Sequence, residues 1–459
     1  MIKDLTTGSP TKKILIFSLP LLLTTALQQV YNMAGSVIVG QVTGRPGLAA
    51  IGAAYPVILI LLAIATGSSM GCSVTISQLY GAGRIREMKS AIYTALISLS
   101  ALGALLGAAG ILLAEPLMRM LNVSEELLPE ASGYLAVYCA GVLPMFVYNA
   151  VNAAYTGLGD SRYPLYILIV SSVLNVLLAL AAVGPLGMGV AGAAWSAFFA
   201  QLAAAVFACV SLLRRLKTVR TDDKVSFFDR SLLLLMSRVA VPSILQQACV
   251  AFAHTLVQSL VNTYPTAVIA GYEAASKTQN FAYMSLNTLG TALSAFAAQN
   301  HGAQKHERIK KGYIASTAIC LGLTALVVLI LQVFPGALIG LYVDSGAEPV
   351  VMEVGIRFLR IVSPAYFIIC FIITAGGLLR GTGRVGTFLG LTVIDFTVRV
   401  SMCYFLTWAL GSYTGLFWAW YFGAGVEAVL LIIIFARSRL SSAPQPRLLP
   451  PKEVFRYDT

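Results

Sequence analysis

Long apolar stretches separated by short polar ones set the rhythm of this chain. Twelve runs stand out, near 14–38, 52–78, 91–114, 132–156, 163–184, 189–213, 233–262, 274–298, 312–335, 351–378, 385–409 and 413–436. Each approaches or exceeds the ~20 apolar residues that span a bilayer as a helix, and a helix satisfies its own backbone polar groups in lipid. The pattern predicts an all-α membrane protein with twelve transmembrane helices. Run 1 follows Lys12 and Lys13 as a signal peptide would. However, it is too long, carries Pro20 and Gln28-Gln29, and has no small-residue cleavage site before run 2. It reads as the first span.

The runs fall into two similar sets of six. Pro20 matches Pro242, 222 residues on, and Gln78-x-x-Gly81-Ala82 matches Gln299-x-x-Gly302-Ala303, 221 on. Pro144 matches Pro364 at 220, and Gly157-x-Gly159 matches Gly381-x-Gly383 at 224. Four landmarks in one register predict a duplication. The expected division is an N-terminal six-helix lobe (1–213), a cytoplasmic linker (214–230), a C-terminal six-helix lobe (231–440) and a cytoplasmic tail (441–459). Six spans per lobe is an even number, so both lobes enter from the same side as a parallel repeat. Such lobes commonly bind a substrate between them and rock to alternate its access.

Polar residues inside the runs lie on helical faces. Run 1 carries Thr25, Gln28, Gln29, Asn32 and Ser36 at steps that share a side. In run 7, Gln247, His254, Gln258 and Asn262 fall within an arc of about 80° at 100° per residue. Run 8 has Asn280, Tyr283, Asn287 and Thr291; run 4 has Tyr134, Tyr138, Tyr148, Asn152 and Tyr155; run 5 has Asn175. Side chains of this kind avoid lipid and face protein or a wet cavity. The expected cavity lining is therefore Gln28, Asn32, Tyr138, Asn152, Asn175, Gln247, His254, Gln258, Asn280, Tyr283 and Asn287. For any one of them, hydrogen bonding between helices is the competing use. Together they describe a neutral, aromatic-rich surface suited to amphiphilic organic molecules.

Charge fixes the expected orientation. Only 11% of the 459 residues are charged, against roughly 25% in a soluble domain. With both termini in the cytoplasm, 25 of the 31 Lys and Arg fall on the cytoplasmic side, as the positive-inside rule requires. The formal charge of +12 then reflects orientation and contact with anionic lipid, and no nucleic-acid partner is expected. The seven cysteines lie singly in apolar stretches without metal-ligand spacing. No metal site or organic cofactor is expected, and the chain is not expected to be an enzyme. Prenyl or phosphoryl transfer would need clustered carboxylates or a Gly-rich phosphate loop.

Several motifs together resemble one family. Lys3-Asp4-Leu5-Thr6-x-Gly8-Ser9-Pro10, Leu19-Pro20, Gln28-Gln29-Val30-Tyr31-Asn32-Met33 and Val39-Gly40 are similar to the opening of multidrug and toxic compound extrusion (MATE) transporters. Gly159-Asp160-Ser161-Arg162-x-Pro164-Leu165, Ser172-x-x-Asn175, Gly187-Met188-Gly189-Val190-Ala191-Gly192, Gln299-Asn300-x-Gly302-Ala303, Glu307-Arg308-Ile309 and Leu379-Arg380-Gly381-x-Gly383 continue the likeness in order. The resemblance, to the bacterial branch, implies export of drug-like molecules across the bacterial inner membrane, driven by H+ or Na+. A monomer with a small-molecule substrate is expected.

The chain departs from the family pattern where coupling is expected. Gly35 and Ala179 stand where the family usually has aspartates, and Thr156 replaces an arginine whose second-half counterpart, Arg380, is kept. Asn175 cannot exchange a proton. The remaining coupling candidates are His254, Asp395 and Glu427, although Asp395 and Arg399, four apart, also fit a mutually neutralising pair. Two other functions stay open: a flippase for lipid-linked oligosaccharide, which would want several intramembrane cations, and an uncoupled facilitator that has lost the N-lobe acidic site.

Overall fold

The computed structural model describes residues 4–183, 185–219, 221, 224–342 and 349–437; the side chains of 30–48 and 183 lie outside the described set. The described residues are helical throughout, with no strand among them. The first half holds α1 (Pro10–Gly81), α2 (Ile85–Leu112), α3 (Ala114–Met120), α4 (Leu128–Ala140), α5 (Val142–Gly157), α6 (Arg162–Val183) and α7 (Gly189–Thr218). The second holds α8 (Arg230–Val261), α9 (Thr266–Gly302), α10 (His306–Val333), α11 (Pro335–Ile339), α12 (Pro349–Val362), α13 (Tyr366–Gly381), α14 (Val385–Leu410) and α15 (Thr414–Arg437).

The range of α1 covers two of the apolar runs, and both its ends meet Gln299. Leu5, just ahead of α1, donates its amide to Gln299 Oε1 at 3.0 Å, and a methyl on Gly81 would lie 1.9 Å from the Gln299 carbonyl oxygen. A straight helix of 72 residues would be about 108 Å long. The range therefore doubles back as two antiparallel spans, with Pro10–Gln29 and Ala49–Gly81 as their apolar segments. Counted so, eleven segments among the described residues are long and apolar enough to cross a membrane, and α9, at 37 residues, completes a set of twelve.

The duplicated prolines act alike. Run 4 divides into α4 and α5 at Gly141, three residues before Pro144. Run 10 divides into α12 and α13 through a 3₁₀ turn, Ser363–Ala365, that contains Pro364. Proline lacks the amide for the previous turn and its ring crowds that turn's carbonyl, so each span is interrupted beside its proline. Pro242 lies inside α8, which continues through it.

Each half has its own core. One apolar cluster runs from Ala50 to Leu216 and takes in Leu232 and Met236 from the first turns of α8. The other runs from Val261 to Leu431. The connection between halves is tied to α2: Ser226 and Asp229 donate amides to the Ser90 and Thr94 hydroxyls at 3.1 and 3.0 Å. Asp229 then caps α8 by accepting from the Ser231 amide at 2.8 Å, the arrangement that an N-cap aspartate favours.

Candidate functional site

The two lobes meet along a seam at one end of the molecule, the end carrying the basic clusters Arg84–Lys89 and Lys305–Lys311. There Gln78 Nε2 donates to the Gly381 carbonyl at 3.0 Å, and Gln299 Nε2 donates to the Gly157 carbonyl at 3.0 Å. Each glutamine reaches across to the opposite lobe, and both are buried. The backbones cross equally closely. A methyl on Gly302 would sit 1.9 Å from the Gln78 oxygen, mirroring Gly81 on Gln299. Only glycine permits this approach. The four repeat landmarks Gln78, Gln299, Gly157 and Gly381 thus bond to one another in a reciprocal, two-fold pattern.

The N-terminal segment is strapped over the same seam. Leu5 is buried, and its carbonyl accepts from Asn300 Nδ2 at 3.2 Å and Arg308 Nη2 at 3.1 Å. Arg308 also donates to the Thr7 carbonyl at 2.7 Å, and Lys305 Nζ to the Thr6 carbonyl at 2.9 Å. Burial raises the Asp4 carboxyl, but hydrogen bonds from Thr6 and Thr7 and the Lys13 charge outweigh it and hold it below the usual carboxylate range. Charge-assisted bonds to several carbonyls from one guanidinium are among the stronger polar contacts.

Away from this end the same helix faces change character. On α8, Met236, Ala240 and Ile244 press on Gly71 and Gly67 of α1. Gln247, His254, Gln258 and Asn262 continue that face at 100° per residue, where His254 and Asn262 are exposed and Gln247 and Gln258 half-buried. On α9, Ala292 and Ala295 pack on Phe17, and the Thr288 and Thr25 hydroxyls meet at 3.0 Å. Beyond them Asn280 and Phe281 are exposed, as is Gln28 on α1. The surfaces pressed together at the basic end therefore part toward the other end. Among the eleven apolar spans, Pro10–Gln29 and Arg230–Val261 have the lowest mean hydropathy, and both belong to helices that meet at this seam.

The sequence-selected residues divide into groups. Gln28, His254 and Asn280 are exposed, and Gln247 and Gln258 are half-buried. Tyr283 and Asn287 are half-buried, and Tyr283 packs against the second core. Tyr138 packs on the first core. Asn152 is half-buried, and its Oδ1 has no hydrogen-bond partner among the described residues. Asn175 is buried in the first lobe, with Ala179 buried one turn on. The Asn32 side chain and Gly35 lie outside the residues whose side chains are described.

The three coupling candidates lie in the second lobe. Arg399 Nη2 donates to both Asp395 oxygens at 2.9 and 2.7 Å, and its guanidinium lies 4.2 Å from the Trp420 ring centre. Gly423 lets α15 close on this pair: a methyl there would be 2.3 Å from Asp395 Oδ1. Glu427, one turn beyond Gly423, is buried, and its Oε1 has no partner among the described residues. His254, the third candidate, is exposed on α8. Among the described residues no three His, Cys, Asp or Glu are grouped to hold a metal. Cys320 and Cys370 are both buried in the second core.

Comparison with known proteins supplies the family. The MatE model matches residues 20–181 and 242–405, once in each half. The probable multidrug resistance proteins YoeA and YpnP of Bacillus subtilis are 27% and 28% identical, each over 91% of this chain and 91% and 90% of their own lengths. A protein of Shewanella oneidensis described as an FAD transporter is 25% identical over 75% of this chain and 77% of its own. A solved MATE structure in complex with MaL6 superposes at TM-score 0.89 with 23% identity, covering 95% of this chain and 98% of that one. The two halves, the twelve spans and the matched motifs have one common explanation: this chain belongs to the MatE family of multi-pass membrane transporters, which handle small molecules.

Proposed function

We propose that the chain is a secondary active exporter of drug-like, amphiphilic organic molecules that works by alternating access between two lobes, 1–213 and 231–440, joined by 214–230. The observation that carries this reading is the reciprocal seam, closed at the basic end while the same faces of α8 and α9 are polar and exposed beyond it. The basic end is cytoplasmic by the positive-inside rule, so the described state opens outward from a bacterial inner membrane. A cysteine at the exposed Glu126 is then expected to react with an impermeant thiol reagent in intact cells, and one at the exposed Glu307 only with a permeant reagent. The background must lack the seven native cysteines; labelling of the Glu307 position from outside would reverse the orientation.

The lining of Gln28, Gln247, His254, Gln258 and Asn280 suits neutral organic compounds that combine hydrogen-bonding groups with apolar surface, since its amides both donate and accept and carry no charge. Relatives described as multidrug resistance proteins and as an FAD transporter support a small organic cargo. Gln258→Leu is expected to weaken substrate binding about tenfold, because a polar group left unpaired costs about 1–3 kcal/mol. Thr397→Leu, on an exposed face of α14, is expected to change nothing. Equal behaviour of the two variants would remove the cavity from this face.

Coupling to H+ or Na+ runs through the second lobe in this reading, since Gly35 and Ala179 cannot carry charge. Only a group whose affinity for the ion differs between the two access states can bias them. Glu427 is the strongest candidate, being buried with an unpartnered oxygen. The missing N-lobe acids also favour a second reading, an uncoupled facilitator. Oligosaccharide flipping is disfavoured because Arg399 is spent on Asp395.

A further inference from the structure

A groove of about 1470 Å³ runs along the outside of the first lobe between α6 and α7. It exceeds the roughly 300–1,000 Å³ of a drug-sized pocket. Its mouth, at the basic end, holds Arg162, Arg214 and Arg215, with Asp160 the single carboxylate. Arg215 is committed: it bonds Asp160 at 2.7 Å and lies 5.5 Å from the Tyr155 ring centre. Arg162 and Arg214 are exposed, and neither guanidinium has an ion pair among the described residues. The mouth is therefore cationic beyond what Asp160 neutralises.

The groove then becomes apolar. Phe199, Val206, Phe207 and Val210 line it on α7 and are exposed by 51, 55, 56 and 42%. From Arg214 to Phe199 the helix rises about 22 Å at 1.5 Å per residue. That depth exceeds half of a hydrocarbon core about 30 Å thick. Tyr166, on the α6 wall, points half a helical turn away from Asn175, so the groove faces lipid and not the inter-lobe opening.

We propose that this groove is a binding site for an anionic phospholipid, with the headgroup phosphate between Arg162 and Arg214 and an acyl chain laid along Val210, Val206 and Phe199. Basic pockets between spanning helices select anionic headgroups, and the apolar trough excludes a free phosphate as the natural occupant. The site also touches the seam. Tyr155, under Arg215 and hydrogen-bonded to the groove residue Ser211 at 3.0 Å, lies two residues before Gly157, whose carbonyl receives Gln299.

The test is displacement of a fluorescent phosphatidylglycerol from the purified full-length protein in detergent. Dioleoyl-phosphatidylglycerol, dioleoyl-phosphatidylcholine and glycerol phosphate serve as competitors. The phosphatidylglycerol is expected to compete far better than the other two. Arg162→Gln and Arg214→Gln should each weaken it about fivefold, and together about thirtyfold. Both sites are exposed, so folding should be unaffected, with thermal unfolding as the control. Val206→Trp, which fills the trough, should reduce binding with both arginines in place. Equal competition by phosphatidylcholine, an unchanged double variant, or displacement by glycerol phosphate at similar concentration would each overturn the proposal.

Discussion

A valine in place of Gly302 is expected to abolish export while leaving both lobes folded. The Cβ it adds would lie 1.9 Å from the Gln78 carbonyl oxygen. Because the obstacle is backbone, no rotamer relieves it. Restoring an ordinary contact of about 3.5 Å requires α1 and α9 to separate by about 1.5 Å. Overpacking of this kind costs about 1–3 kcal/mol or more, which shifts a two-state equilibrium by about 5- to 150-fold. The closed seam is lost, so the molecule should populate the state open at the basic end. Gly81→Val, blocked 1.9 Å from Gln299, should do the same by symmetry. Gln299→Leu should act in the same direction, since it strands the Leu5 amide and removes a bond to the Gly157 carbonyl. Spin labels at the exposed Lys217 and Lys310 should move apart in the valine variants. An unchanged distance with normal export would mean that this seam is not a moving part.

The second large effect concerns the second-lobe charges, and it separates structure from coupling. Asp395→Ala is expected to destabilise the protein by about 3–5 kcal/mol, because it leaves the Arg399 guanidinium buried without its partner. Replacing both members together, Asp395→Leu with Arg399→Met, should recover most of the loss, as apolar substitutes often match a buried ion pair. Glu427→Gln should behave oppositely. It keeps the size and polarity of the side chain, so thermal unfolding should hardly move, yet it removes the exchangeable proton and should abolish any response of export to a gradient. If Glu427→Gln exports normally under a gradient and the Asp395, Arg399 double replacement does not, the coupling group is Asp395.

Much of this architecture is legible in the sequence because lipid leaves so few options. Apolar run length identified the spans, and the placement of Lys and Arg gave the expected orientation. The repeated Pro144 and Pro364 marked places where the structure interrupts each span. The seam was not legible. Gln78, Gln299, Gly157 and Gly381 were visible as repeat markers, but a repeat offset does not say that its members touch across the two-fold. The strap of Leu5 to Gly8 was hidden for a related reason: its bonds run from Asn300, Lys305 and Arg308 to backbone carbonyls, and carbonyls leave no mark in residue identity. Polar stripes indicated wet faces on α8 and α9, but Tyr283, Asn152 and Asn175 are partly or wholly turned into their lobes. Periodicity fixes an angle on a helix and not the neighbour found there.

Efflux of a panel of amphiphilic dyes from cells expressing the protein, with and without imposed proton and sodium gradients, tests the central claim most directly. The account predicts reduced dye accumulation that deepens when one of the gradients is imposed, with Gly302→Val abolishing efflux and Glu427→Gln abolishing only its gradient dependence. Accumulation that is the same with native protein, with Gly302→Val and without the protein, under every gradient and for every dye, would contradict it.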